Sequence, residues 1–303
     1  MAAQADRPRI VDAHHHLWDL ERHVYPWLSP RPLPPAMAGD VSPIARSYGV
    51  DDLLADAGPW DLAKSVHVEA GFDPAAPLAE TEWLQGIADE RGFPHAIVAK
   101  AALHDPDVEA LLAAHVRHAN VRGIRHMVSW HPVPRNTFVD RPDLLTDSQW
   151  RRGFALLRKY GLSFDLQVYP PQMDDAVALA RRHLDTTIIV DHAGMPLDRD
   201  TTALAAWRDG MTALAGLPNV AVKISGLGMF DHDWTVDSIR PYVLETLDRF
   251  GTHRCMFASN FPVDKLYGSY PALFDAFDRI TADFSDDERQ RLFAGNAERL
   301  YRI

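Results

Sequence analysis

The chain has 303 residues, 47% hydrophobic and 24% charged, a mix that excludes general disorder because there is ample apolar surface to bury. With 31 basic against 42 acidic residues the formal charge is −11, so nucleic acid and anionic membranes are excluded as generic partners. A local basic pocket for a small anion is still compatible with that balance, and Cys255, the single cysteine, leaves no intrachain disulfide and no cysteine-built zinc site.

Eight short apolar segments have β character: Arg9–His14, Lys64–Ala70, His95–Leu103, Val121–Val128, Leu162–Val168, Thr186–His192, Val220–Gly226 and Arg254–Asn260. Helical stretches alternate with them: Asp51–Ala57, Ala79–Arg91, Asp107–Ala119, Gln149–Tyr160, Met173–His183, Thr201–Ala215 and Val236–Phe250. Tyr270–Ile280 and Ser285–Tyr301 close the chain. Strands alternating with helices indicate a parallel sheet, and eight is the number that closes into a barrel. The rival, a doubly wound open sheet, usually carries a glycine-rich turn after its first strand. Here that turn, Asp12 to Trp18, has no glycine. The expected fold is α/β, a TIM (β/α)8 barrel forming one domain over 1–303, the barrel itself over about 9–303.

Tyr25 to Pro43 interrupts the rhythm with prolines 26, 30, 32, 34, 35 and 43, which fix φ and remove donors. It belongs to a loop insertion over about 19–50 that comes after the first strand, and so lies over the C-terminal mouth. It is either an ordered surface loop or part of a site cover that contributes Trp18, Tyr25 and Trp27. No apolar run approaches the roughly 18 residues of a membrane span. Met1 to Arg9 lacks the apolar core of a signal peptide, and the expected location is cytoplasmic.

Alternation along each strand predicts which side chains point inward. Asp12, His14 and His16 share one face of the first strand and His15 takes the other. With Val66, Val68 and Ala70 against the helices, His67 and Glu69 point in. Arg125 points in opposite Ile124, and Lys100 is a less clear inward candidate. Ser163, Asp165, Gln167 and Tyr169 oppose Leu162, Phe164, Leu166 and Val168. Lys223 and Ser225 oppose Val220, Val222 and Ile224. The converging set is His14, His16, Glu69, Arg125, Gln167, Tyr169, His192, Lys223 and Asn260. Singly, each is more often a satisfied structural group. Together they imply a site, because so many buried polar groups are otherwise costly.

His14 and His16, two residues apart on one strand face, can reach one ion, and neutral imidazole suits zinc and related divalent metals. A catalytic ion usually keeps three protein ligands and an open position, and His192 at the end of the sixth strand is a sensible third. The expected cofactor is one divalent ion, zinc or manganese, with a metal-free site as the alternative. Arg125, Lys223 and Lys100 hint at a carboxylate-bearing substrate. Trp18, Trp27 and Tyr169 could stack on a flat ring. The expected partner is a small molecule, anionic or sugar-derived; an oligomer is left open.

Several stretches together resemble the amidohydrolase superfamily. They are Ile10–Trp18, Val68-Glu69-Ala70, Glu80–Leu84, Gly123–His126, Phe164–Val168, Val190–Gly194, Val222–Leu227 and Phe257–Val263. More narrowly the chain resembles the amidohydrolase-related (amidohydrolase 2) branch that contains the sugar-lactone and 2-pyrone-4,6-dicarboxylate lactonases. The resemblance implies a distorted barrel and hydrolysis of a small ring lactone. It makes His14, His16 and His192 the pocket histidines, which hold a divalent metal in some members and polarise the carbonyl without one in others. It also makes Arg125 a substrate-binding position and Lys223-Ile224-Ser225 the seventh-strand motif. The family usually carries an aspartate at the end of the eighth strand, where this chain has Asn260. An amide has no basic site of use near neutral pH. Asp264, Glu69, or His67 or a pocket histidine is the expected replacement base. A metal-dependent decarboxylase of an aromatic acid, and a binding protein that has lost catalysis, are the alternative functions.

Overall fold

The computed structural model describes residues 7–303. Eight parallel strands run in sequence order: β1 (Ile10–His15), β2 (Leu62–Val68), β3 (Ala96–Lys100), β4 (Val121–Arg125), β5 (Ser163–Leu166), β6 (Ile188–Val190), β7 (Val220–Ile224) and β8 (Cys255–Phe257). Each is hydrogen-bonded to the next. The barrel closes just beyond β8, where Asn260 N donates to His14 O at 2.7 Å and His16 N to Phe261 O at 2.7 Å. Helices alternate with the strands: α1 (Val50–Ala57), α2 (Pro77–Arg91), α3 (Val108–His115), α4 (Ser148–Lys159), α5 (Met173–Arg182), α6 (Thr201–Ala215), α7 (Val236–Phe250) and α8 (Tyr270–Ile280), then α9 (Asp286–Gln290) and α10 (Asn296–Tyr301). The architecture is a (β/α)8 barrel. Among the described residues no helix is long and apolar enough to cross a membrane.

Side-chain chemistry sets several helix starts. Asp147 accepts from Gln149 N and Trp150 N at α4, and Asp200 from Thr202 N and Ala203 N at α6. Thr235 with Ser238, and Ser285 with Glu288, form reciprocal caps at α7 and α9.

Two apolar layers flank the sheet. Ile97, Ile124, Phe164, Val190, Val222 and Phe257 pack outward with the helices. Val11, Ala13, Val66, Val68, Val98 and Met256 fill the inside, and Ala294, Ala297 and Tyr301 plug its N-terminal end. This corrects the expected facing of β2. Val66 and Val68 point in, and His67 pairs in register with the outward Ile97, its Nε2 3.3 Å from Leu17 O. The physical reason is that a barrel interior is itself packed with branched aliphatics, so apolarity does not mark the outer face.

β1 needs a second correction. Its register runs from Asp12 opposite Ser65 to His15 opposite His67, three steps against two. The extra residue is a β-bulge, which reverses the facing of the residues beyond it. Asp12, ahead of it, faces out by ordinary alternation, where its carboxylate meets Ser259 N at 2.9 Å and Tyr270 Oη at 3.3 Å. His14 and His16 face in, with ring centroids 5.0 Å apart. His15 faces out toward Ser65 Oγ at 2.9 Å.

Candidate active site

A cavity of about 450 Å³ opens at the C-terminal ends of the strands. Its floor carries His16, Glu69, Arg125, Gln167, His192 and Asn260, with Lys100 at the edge. Its walls come from two loops. The proline-rich segment supplies Trp27, Pro35 and Met37, and the β4–α4 connection supplies Arg135 and Phe138. The proline-rich loop is thus part of the cover, pinned by Trp27 Nε1 donating to Ala70 O at 2.8 Å.

The backbone turns sharply to present His192. His192 (φ 54°), Ala193 (φ 50°), Gly194 (φ 72°) and Met195 (φ 53°) are all left-handed, a run that L-residues adopt only where the surroundings hold it. Gly226 (φ 66°) makes room, since a Cβ there would lie 2.6 Å from His192 Nδ1. His14 lies between the other two imidazoles, its centroid 4.6 Å from that of His192.

Burial makes all three imidazoles neutral. It lowers His192 to about 3, with Asp191 opposing the shift. Burial aided by Lys223 holds His14 well below the ordinary range, and burial aided by Arg125 does the same for His16. His16 Nδ1 lies 2.8 Å from Val68 O, so Nδ1 carries the proton and Nε2 keeps a bare lone pair. His16 can bind a cation or take a proton there, but cannot donate to an oxyanion. His192 Nδ1 lies 2.9 Å from Ser225 Oγ, which can donate or accept, so its Nε2 can serve either way.

Beneath the floor lies a charge network. Lys223, fully buried, pairs with Asp165 Oδ2, sits 3.2 Å from Asp191 Oδ1, and sits 3.3 Å from His14 Nδ1. Tyr301 Oη donates to Asp165 Oδ2 at 2.8 Å. Burial raises Asp165 to about 6. It would raise Asp191 too, but Lys223 and His14 overcome it and hold that carboxylate well below its usual range. Arg125 Nε donates to Glu69 Oε1 at 2.9 Å, a second Arg125 nitrogen donates to Glu69 O at 2.5 Å, and Nη1 lies 3.6 Å from Asp191 Oδ2. The guanidinium is therefore largely committed to protein acceptors, the Glu69 side chain and carbonyl and the Asp191 carboxylate.

The donors suit a divalent cation. His14, Asp191 and His192 offer atoms within 4.8 Å of one another, and His16 falls outside that group. His14 Nε2 is buried with no hydrogen-bond partner, and the Asp191 oxygens lie at ion-pair distances without hydrogen-bond geometry. Neutral imidazole and carboxylate are the protonation states a metal needs.

Asn260 (φ 56°) lines the cavity, and its Nδ2 donates to Asp264 Oδ1 at 3.0 Å. Asp264 lies behind it, buried, with Oδ2 unpartnered, and burial raises it to about 7. Three expected substrate contacts lie outside the cavity lining. Lys223 sits beneath the floor. Tyr169 donates through Oη to Asn136 O at 2.7 Å. Trp18 donates to Arg46 O at 2.7 Å and stands edge-on behind Trp27, centroids 5.5 Å apart. Strand alternation and motif spacing did not single out Asp191 or Arg135 as site residues. The Asp191-His192 dipeptide at a strand end was a usable signal for the first. Arg135 sits in an irregular loop, where no periodicity points to it.

A barrel with a histidine-lined cavity at its C-terminal mouth, and a buried aspartate beside the sixth-strand histidine, defines a class of small-molecule hydrolases. The amidohydrolase family model matches residues 11–303, and the chain belongs to that family. It is 49% identical over 294 residues to the uncharacterized protein y4mH of Sinorhizobium fredii, covering 97% of this chain and 98% of that one. It is 32% identical over 307 residues to an L-fucono-1,5-lactonase of Burkholderia multivorans, covering 97% and 96%. A crystal structure of an amidohydrolase from Burkholderia multivorans with bound zinc superposes with a TM-score of 0.81 at 29% identity, covering 97% of this chain and 99% of that one.

Proposed function

We propose that this chain is a lactonase that opens a small ring lactone. The observation that carries the reading is the convergence of His16, His192 and Glu69 on one cavity floor. The similarity to an L-fucono-1,5-lactonase supports the bond type. Glu69 is the one carboxylate among the described cavity-lining residues. Arg125 holds its Oε1 and Gly71 N donates to its Oε2 at 3.0 Å, leaving one lone pair on each oxygen to take a proton. Water adds to the lactone carbonyl as Glu69 accepts its proton. His192, with Ser225 donating to Nδ1, donates from Nε2 to the oxyanion. The ring C–O bond then breaks, and Glu69 returns the proton to the departing alkoxide, so the product is a hydroxy acid. A divalent ion held by His14, His192 and Asp191 would polarise the carbonyl in place of the His192 N–H, with Nε2 giving its lone pair to the ion and Ser225 accepting from Nδ1.

The test is a panel of neutral and acidic five- and six-membered lactones, monitored by acid release. Wild type should open at least one. Glu69→Gln should lower kcat/KM by about 10²–10⁴-fold, the usual contribution of a general base. Acid release unchanged in that variant overturns the role of Glu69. No acid release across the panel overturns the lactonase reading, with carbon dioxide release from aromatic acids assigning a decarboxylase and binding without turnover a binding protein.

A further inference from the structure

We propose that Lys100 and Arg135 form a two-cation clamp for an anionic substituent of the substrate, so that the preferred lactone carries a carboxylate. The proposal rests on the lactonase reading and adds the substrate class. Besides histidines, four acidic or basic side chains line the cavity: Glu69, Lys100, Arg125 and Arg135. Glu69 and Arg125 satisfy each other at 2.9 Å, and a further Arg125 nitrogen turns to Asp191. Lys100 and Arg135 have no carboxylate within 4 Å among the described residues. Lys100 Nζ donates to a neutral carbonyl, Phe72 O, at 3.1 Å. The buried carboxyl of Glu80 accepts from Ala70 N at 2.9 Å and makes no ion pair with Lys100; burial and then Glu69 raise it, against Ala70 N–H and Lys100.

Placement supports the pairing. Lys100 ends β3, next in register to Arg125, at the edge of the floor. Arg135 hangs from the β4–α4 loop at the exposed rim of the same cavity, whose lining also includes Phe138, Met37 and Trp27. The lining between them is mostly apolar, so an anion there meets few competing protein groups, although Arg135 and Phe138 are exposed to solvent. Guanidinium matches carboxylate bidentately and ammonium adds a point charge. The chain as a whole, at −11, repels anions, so two unpaired cations on one cavity mark a local exception. Arg125, which the sequence suggested for this task, has already been claimed by Glu69 and Asp191.

The test uses two readouts on the full chain. The first is the ratio of kcat/KM for matched lactones that differ only in a carboxylate against a hydroxymethyl group, as in glucaro- and glucono-1,4-lactone, with 1,5-ring pairs alongside. Wild type should favour the carboxylate member. Lys100→Met and Arg135→Met should each lower that ratio by about tenfold or more, as expected for removing a hydrogen bond to a charged group. A ratio that does not fall in either variant overturns the clamp while leaving the lactonase reading intact. The second is calorimetric titration with tetrahydropyran-2-carboxylate and tetrahydropyran-2-methanol, rings that cannot be hydrolysed. Tighter binding of the carboxylate, lost in both variants, supports the clamp even where no lactone is opened. Equal binding of the two rings overturns it.

Discussion

Replacing Lys223 by methionine tests the charge network directly. The ammonium is fully buried and faces Asp165, Asp191 at 3.2 Å and His14 Nδ1 at 3.3 Å. At 3.2 Å and an effective dielectric near 20, one such pair is worth about 5 kcal/mol of Coulomb energy, against several kcal/mol of desolvation for each ion. Methionine keeps most of the volume but leaves Asp165 without its cation and Asp191 with Arg125 alone, at 3.6 Å. Removing one partner of a buried pair typically costs about 3–5 kcal/mol, a large part of a total stability of about 5–15 kcal/mol. The measurement is the denaturant midpoint of both proteins from pH 4 to pH 8. In the variant, Asp165 should titrate further above the unfolded carboxylate value, and Asp191, with Arg125 still beside it, should rise toward that value. The stability Asp165 contributes is present below that value and is lost as pH rises through the folded value, and Asp191 contributes less above it than in wild type. The deficit of the variant should therefore grow with pH and shrink in acid. A deficit under about 1 kcal/mol at neutral pH, or one that does not change with pH, would refute the reasoning.

Asp264, raised by burial to about 7, contributes stability that is full below the ordinary carboxylate value of about 4 and is lost as pH rises toward 7. Asp264→Asn should gain on wild type in denaturant midpoint between pH 5 and pH 8; a constant difference would show that the group is not raised. Gly226→Ala places a Cβ 2.6 Å from His192 Nδ1 and 2.8 Å from Met229 Cε at a left-handed position. Displacing a site group by about 1 Å can cost about 10²-fold in rate. Lactone opening should fall by that order in a protein that still melts cooperatively, and full activity would mean that His192 does not depend on its seat. Elemental analysis of protein purified without chelators should find about one zinc or manganese ion per chain, as expected of a single catalytic site. That content should fall in His192→Ala and Asp191→Asn; content unchanged in both would place the ion elsewhere.

The order of eight strands and their helices was legible in the sequence, because a β/α repeat changes its hydrophobic period from two to 3.6 at each junction. The strand ends carrying His16, Glu69, Arg125, Gln167, His192 and Asn260 were legible for the same reason, since residues at the C-terminal ends of barrel strands are held near the mouth by topology. Facing was less legible. Val66 and Val68 look like an outer surface from sequence, yet fill the barrel, because both faces of a barrel strand are apolar and alternation cannot tell them apart. The bulge between Asp12 and His15 leaves no mark in the local pattern, since it exists only against the register of β2. Asp12, ahead of it, faces out by ordinary alternation, and the bulge turns His14 inward to Lys223 and Asp191. Tertiary structure alone also decides which charges remain free. Arg125 and Lys223 read from sequence as cations for a substrate, but carboxylates from other strands reach them first. Lys100 and Arg135 stay unpaired because no acid from another described element comes within 4 Å of them. Composition counts charges, whereas the packing of distant strands and loops determines which ones are left to meet a ligand.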